Sequence, residues 1–530
     1  MNDDGSKLSN ALIENQEQEQ ECFAQHQYRV PSHHEGLPQL IEVFYTTAAA
    51  SSNNDIDDVS SAKNNKIWFA AFNPGVCEPE WRRKNSSIPS FFHKQEQKNK
   101  HDEDIIYHCE FPDGTVVESD PVPPAKPNDF WTTAILMISC RIPDKLMMTA
   151  RGTPRTTKET LTVSLHATVD LETPVERQRE EQEHEEAMVN WRYSSADKLG
   201  VYRDLKVCSR EWPDLTLATT NHHGSRDSNK KALHDGMSDK RRTLSMVTQI
   251  RMEYETFEYS DRTRIATPPE NIVTWIEYHL LIGFEHFYIF DNDPKSHGPL
   301  ELLLEPYVEA GIVTYVWYPM QDCFRKSDDE LDGSRITISQ AFSSTTALRR
   351  YAHMTEFMGH FDIDEYLQLP PDVMDVKHIL KEMPSDKSTL FAPQKWYHNC
   401  DQTRRLANTR SGSSAVLQRS SSLFPLTQTL CVSPDSTPGK SIMRANDILG
   451  FFVHAPWVKT NHELFEDWNK EVETREELFV AHARKRRARD GIPIVNEGEP
   501  RPLVSSPALE KRLEKNVEER MVKFRNVHHN

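Results

Sequence analysis

Apolar residues recur at helical spacing at Ile272, Trp275, Ile276 and Leu280, and an unbroken apolar run, Phe287-Tyr288-Ile289-Phe290, follows at once. The first pattern draws an apolar stripe along a helix over 271–281. The second has no polar face, as a strand buried on both sides of a parallel sheet requires. Pro268 and Pro269 precede the helix, and Gly283 supplies the left-handed cap that ends it. The alternation then repeats. Residues 300–310 predict a second helix, with Pro306 as a break or kink and Gly311 closing it. Residues 312–317 predict a strand, 334–351 a third helix and 356–361 a further strand. A β-α-β-α-β order implies a mostly parallel sheet with right-handed crossovers. Ligands of such sheets bind beyond the carboxyl ends of the strands.

Upstream the period is two. Leu161, Val163, Leu165, Ala167 and Val169 alternate with polar residues, which puts one face on a core and the other in water. Residues 66–72, 104–111 and 132–140 read as further strands, with Pro112-Asp113-Gly114 as a turn. The expected organisation is a largely disordered 1–65, a β-rich accessory domain over 66–220, a linker over 221–243, an α/β domain over 244–460 and a charged, helical or disordered tail over 461–530. Within the α/β domain the Ser/Thr/Arg-rich stretch 401–438 reads as a mobile insertion. In the tail, 466–489 has a helix-like pattern. The charge run 177–186 reads as a solvated helix or linker, and 485–487 as a solvated helix face.

Composition narrows the function classes. Of 530 residues only 37% are hydrophobic, and the formal charge is −18. Mean hydropathy is −0.69. An acidic chain of this kind is not a general nucleic-acid binder, whose affinity rests on Lys and Arg. The eight cysteines form no C-x-x-C pair, so a structural zinc site is not expected. Their spacing permits disulfides, but a buried free thiol is the expectation for each one. The sequon at 85–87 matters only in a secreted chain. No run reaches the roughly 20 apolar residues of a membrane helix, and the first 20 residues lack the apolar region of a signal peptide. G-x-S-x-G, P-loop and H-E-x-x-H motifs are absent.

The chemistry concentrates at strand ends. Asp362 and Asp364, in Phe361-Asp362-Ile363-Asp364-Glu365-Tyr366, leave a strand as a compact anionic fork. Such a fork suits Mn²⁺ or Mg²⁺, and the ion in turn suits a diphosphate; the plain alternative is a solvated acidic loop. Asp291 and Asn292, in a second acidic cluster that ends at Asp293-Pro294, are placed to accept bonds from a nucleoside, or else to make an Asx turn. Topology carries both clusters to one edge of the sheet. His454 and His482 are candidate third metal ligands, with a structural or surface role as the alternative. Trp396 is a candidate for stacking on a sugar, against core packing. Lys440 is a candidate near phosphates, with solvent exposure as its ordinary state.

Residues 271–292, followed by Tyr307 to Gly311, Trp317, Gln340 and the Asp-x-Asp-Glu-aromatic run, resemble the catalytic domain of glycosyltransferase family 92. Gly439-Lys440-Ser441-Ile442 and Val453-His454 are similar to the family's later lysine and histidine motifs. The resemblance covers roughly 265–460. It implies a GT-A fold and metal-dependent transfer of a sugar, often galactose, from a UDP-sugar to a glycan acceptor, usually with inversion. By the same resemblance Asp362 and Asp364 match the metal motif, Asp291 the first-strand acid and His454 the late histidine. It also implies a Golgi or other secretory-pathway membrane, reached through a segment absent from this chain. The catalytic base is not assigned. The alternatives are a non-catalytic glycan-binding relative with the same fold and a metal-dependent phosphoester hydrolase.

Overall fold

The computed structural model describes residues 39–46, 66–72, 77–79, 105–120, 135–143, 146, 161–169, 198–207, 242–250, 269–292, 299–318, 323–325, 335–336, 338–399, 430–451, 454–459, 472–475, 477–482, 500–501 and 507–528. The sequon at 85–87, the charge runs 177–186 and 485–487, the linker 221–241, Asp293-Pro294 and residues 401–429 of the insertion lie outside these. The chain divides into two compact units, one of residues 1–228 with 321–338, the other of 229–320 with 339–530.

The described part of the first unit is built of strands. β1 (Gln39–Thr46), β2 (Lys66–Phe72) and β6 (Ile135–Arg141) form one antiparallel sheet in the order β1-β2-β6. β4 (Ile105–Glu110), β5 (Val116–Glu118), β7 (Thr162–Val169) and β8 (Lys198–Lys206) form another, in the order β5-β4-β7-β8. A third, small sheet joins β3 (Cys77–Pro79) to β12 (Cys323–Arg325) and β13 (Arg335–Ile336). Val163, Leu165 and Ala167, the inward set of the period-two pattern, share a core with Phe69 and Ile138 from the other large sheet. The turn at 112–114 forms with Gly114 at φ 79°, a left-handed conformation that glycine adopts freely. A disulfide between Cys109 of β4 and Cys140 of β6 joins the two large sheets, so the free-thiol expectation fails for this pair. β1 lies in a stretch too rich in polar neighbours to stand out.

The second unit is mixed α/β. Its described elements begin with β9 (Arg242–Ile250), α1 (Pro269–Leu281), β10 (His286–Asp291), α2 (Pro299–Glu309), β11 (Val313–Trp317), α3 (Ile338–Tyr351) and β14 (Thr355–His360). β15 (Glu365–Gln368), α4 (Val376–Lys381), β16 (Thr389–Asn399) and β17 (Leu430–Arg444) follow. β18 (Ile448–Phe451) and β19 (Pro456–Lys459) make a separate pair; β20 (Val472–Thr474), β21 (Phe479–His482), β22 (Pro500–Arg501) and α5 (Pro507–His528) complete the unit. The main sheet runs β11-β10-β9-β14-β17-β16-β21-β15, with β20 beside β16 and β22 beside β17. β11, β10, β9 and β14 are mutually parallel; β17 returns antiparallel to β14.

Several expectations are corrected here. β9 holds the centre of the parallel set between β10 and β14, and it takes in Arg242 and Thr243, the end of the linker expected over 221–243. Its polar Ser245 and Thr248 are buried. α2 runs through Pro306 without a break. The carbonyl that loses its partner belongs to Leu302, which lies on the exposed side of the helix, where water is at hand. The helix-like 466–489 contains strands β20 and β21 instead, because Val472 and Val480-Ala481 are short apolar segments buried beside β16 and β15. The insertion ends earlier than 438, since β17 begins at Leu430.

α1 carries much of the core through Ile272, Val273, Trp275 and Ile276, and Gly283 (φ 108°) and Gly311 (φ 67°) cap α1 and α2 as their sequence positions imply. α5 is tied to this core through one buried acid. Glu277 of α1 accepts from Tyr307 Oη at 2.9 Å, Asn516 Nδ2 at 2.9 Å and Arg520 Nε at 3.3 Å. Arg520 also lies over the Tyr307 ring at 4.6 Å.

Candidate functional site

The chain leaves β14 and folds at once into a four-residue turn. Glu365 N–H donates to the Asp362 carbonyl at 2.9 Å, and Asp362 N–H donates to Glu365 Oε2 at 2.8 Å. Trp275 Nε1 of α1 donates to the Glu365 carbonyl at 2.9 Å, which pins the start of β15. Glu365 is thereby buried, while Asp362 and Asp364 stay partly exposed at the carboxyl edge of the parallel strands.

Lys440 comes to this turn from β17. The antiparallel register pairs Gly359 with Ile442, and two more steps bring Lys440 level with Phe361. Gly439 permits the approach, since a Cβ there would lie 2.0 Å from the Ala392 carbonyl oxygen of β16. Lys440 Nζ sits 3.1 Å from Asp362 Oδ2 and 3.2 Å from Glu365 Oε2, and the lysine is wholly buried. Burial by itself would lower its pKa, but the Asp362 and Glu365 carboxylates outweigh that and hold the ammonium above the ordinary lysine range. The exposure expected of Lys440 is therefore wrong. Gln340 Nε2 of α3 donates to the other Asp362 oxygen, Oδ1, at 3.1 Å, and Gln394 Nε2 donates to Glu365 Oε1 at 3.4 Å.

At the same edge, β10 ends at Asp291, with Asn292 next in the chain, and β9 ends between it and β14. Two strand spacings, roughly 10 Å, separate the two acidic strand ends. Asp291 is fully buried and accepts from Tyr315 Oη at 2.6 Å. Asn292 Nδ2 donates to Ser339 Oγ at 3.4 Å, and Ser339 Oγ donates to Gln249 Oε1 at 3.2 Å. Among the described residues, Asn292 Oδ1 and Gln249 Nε2 have no hydrogen-bond partner.

The late histidines lie near the turn. His454 Nδ1 is 3.0 Å from the Gly439 carbonyl, so Nδ1 carries the proton and Nε2 the lone pair. Ser441 Oγ donates to the His454 carbonyl at 2.8 Å. His482 pairs in register with Glu365 on one side and with Trp396 on the other.

Among the described residues no three His, Cys, Asp or Glu side chains form a group able to hold a metal ion by themselves. His454 therefore does not close a cage with Asp362 and Asp364. Two carboxylates without a third protein ligand still fit Mg²⁺ or Mn²⁺, which are commonly held by one or two carboxylates plus substrate phosphates. Glu365 and Gln394 were not singled out in sequence, and Gln340 was noted only as part of the resemblance. The available signal was the three-residue step from Asp362 to Glu365, the spacing of a tight turn.

A sequence model for the family described as Glycosyltransferase family 92 matches residues 266–529. The chain is also similar to the galactan beta-1,4-galactosyltransferase GALS3 of Arabidopsis thaliana, with 28% identity over 103 residues. That match spans 19% of this chain and 19% of the relative. Among solved structures, 4-diphosphocytidyl-2C-methyl-D-erythritol synthase from Anaerococcus prevotii matches 54% of this chain and 99% of its own, with 10% identity and a TM-score of 0.22.

Proposed function

The chain belongs to glycosyltransferase family 92, and from that premise we propose that it moves a sugar, galactose, from a UDP-sugar to a glycan hydroxyl with inversion, on a GT-A type sheet. The observation that carries this reading is the Asp362–Glu365 turn at the carboxyl edge of parallel strands, with Asp362 and Asp364 partly exposed there. Asp362 and Asp364 would hold Mn²⁺ or Mg²⁺, and His454, bonded to the Gly439 carbonyl, stays a candidate further ligand. The bound ion would neutralise charge on the departing nucleoside diphosphate.

Within the protein, the side chains prepare that charge balance. Lys440 is shared between Asp362 and Glu365, so one ammonium faces two carboxylates at the turn, and Asp362 and Asp364 are the partly exposed acids there. Asn292 and Gln249 offer an acceptor and a donor at the strand end where a nucleoside would lie. Trp396 remains the candidate for stacking on a sugar. The disulfide between Cys109 and Cys140 supports passage through an oxidising, secretory compartment, and Golgi membrane association is part of the same proposal. No helix among the described residues is long and apolar enough to cross a membrane.

The test is a donor screen with glycan acceptors, run with Mn²⁺ and with EDTA. Transfer from a UDP-sugar that stops in EDTA supports the reading. Glycan binding without turnover favours a non-catalytic relative, and phosphoester cleavage with no sugar product favours a hydrolase.

A further inference from the structure

Asp362 is gripped through both carboxylate oxygens, Oδ1 by Gln340 at 3.1 Å and Oδ2 by Lys440 at 3.1 Å. These grips come from α3 and β17, two elements far apart in the chain, and they fix the side chain from two directions. Lys440 is itself anchored, because Glu365 Oε2 accepts from the same Nζ at 3.2 Å while also accepting from the Asp362 backbone N–H at 2.8 Å. Gln394 steadies the other Glu365 oxygen. Lysine, carboxylates and backbone thus close a ring around the turn.

We propose that Gln340 and Lys440 are positioning residues that hold the Asp362 carboxylate ready for a divalent cation, and that Lys440 does so without touching the diphosphate of the donor. The proposal rests on the metal-dependent reading above and adds the residues that act behind the ion. Its geometric basis is burial. Lys440 has no exposed surface, and its ammonium already donates to two carboxylates. The third N–H of that ammonium lies in the interior, so a phosphate oxygen would have to open the packing around Lys440 to reach it. Partners that orient a metal ligand commonly change affinity by about 10–100-fold when removed.

The test uses the full chain and three variants: Gln340→Leu, Lys440→Met, and the double variant Lys440→Met/Glu365→Gln. The double variant removes the buried ion pair without leaving one charge alone, and Gln340→Leu removes a single bond at a partly exposed position. Mn²⁺ affinity is measured by electron paramagnetic resonance in the presence of UDP, UDP affinity is measured by calorimetry in EDTA, and melting is followed in parallel. The expected result is that Gln340→Leu and the double variant melt close to the wild type, bind Mn²⁺ at least about tenfold more weakly, and bind UDP in EDTA as the wild type does. Unchanged Mn²⁺ affinity in those variants overturns the positioning role and leaves Lys440 as a counter-ion of the core. An equal loss of UDP affinity in EDTA for the double variant also overturns it, by placing Lys440 on the diphosphate. A wild-type chain that binds UDP but no Mn²⁺ overturns the metal-dependent reading and this proposal together, which separates that failure from the other two.

Discussion

The Tyr315 hydroxyl donates a 2.6 Å hydrogen bond to Oδ2 of Asp291. The acid is fully buried at the end of β10, so this phenol from the neighbouring strand β11 supports a carboxylate that water does not reach. Removing a donor from a buried charged group costs more than an ordinary hydrogen bond. Tyr315→Phe is expected to destabilise the second unit by roughly 1.5–3 kcal/mol, read as a shift in the chemical-denaturation midpoint. A midpoint equal to that of the wild type would show that the bond contributes nothing.

Two buried histidines make the fold acid-sensitive. Burial pushes the His279 imidazole down to about 3, against the bond its Nδ1 donates to the Trp275 carbonyl. Burial and the Arg242 charge push His286 down to about 3, against its bond to the Gly311 carbonyl. In the unfolded chain both titrate near 6.5, so between about pH 6.5 and pH 3 the unfolded state binds more protons. Their contribution to stability is therefore complete above pH 6.5 and is lost as pH falls, by up to about 1.4 kcal/mol per pH unit for each ring. Denaturation midpoints between pH 7.5 and pH 5 are expected to fall, and His286→Gln, which no longer titrates, is expected to flatten the slope by about one proton. Equal slopes in the two proteins would contradict this.

The Cys109–Cys140 bridge closes a separation of 31 residues between two sheets of one core. Loop-closure entropy for that length gives roughly 3–4 kcal/mol. The double variant Cys109→Ala/Cys140→Ala is expected to lose about that much in the unfolding of the first unit, followed by calorimetry of the full chain. A loss below about 1 kcal/mol would mean that packing alone joins the sheets.

Much of the second unit was legible because local signals agreed. The stripe of Ile272, Trp275, Ile276 and Leu280 is the buried face of α1, and Gly283 ends that helix in the left-handed conformation. Asp362 was legible for a similar reason, as the acid that leaves a buried strand. The grip on it was not. Lys440 lies 78 residues downstream, and its place depends on the register of β17 against β14, which no local pattern of Gly439-Lys440-Ser441 encodes. β9 was missed because polar side chains such as Ser245 and Thr248 are carried into the sheet's centre by tertiary context. Pro306 misled in the opposite sense, since a proline's missing bond costs least at an exposed part of a helix.

The central claim is that the acids at the exit of β14 serve a cation and not the fold. The most direct measurement is the initial rate of sugar transfer from the preferred UDP-sugar, in Mn²⁺, by Asp364→Ala beside the wild type, with melting recorded for both. Asp364 lies in a partly exposed turn, where a truncation costs little packing. The account predicts loss of transfer to background with a melting temperature within a few degrees of the wild type. Transfer at the wild-type rate by a folded Asp364→Ala chain would contradict it.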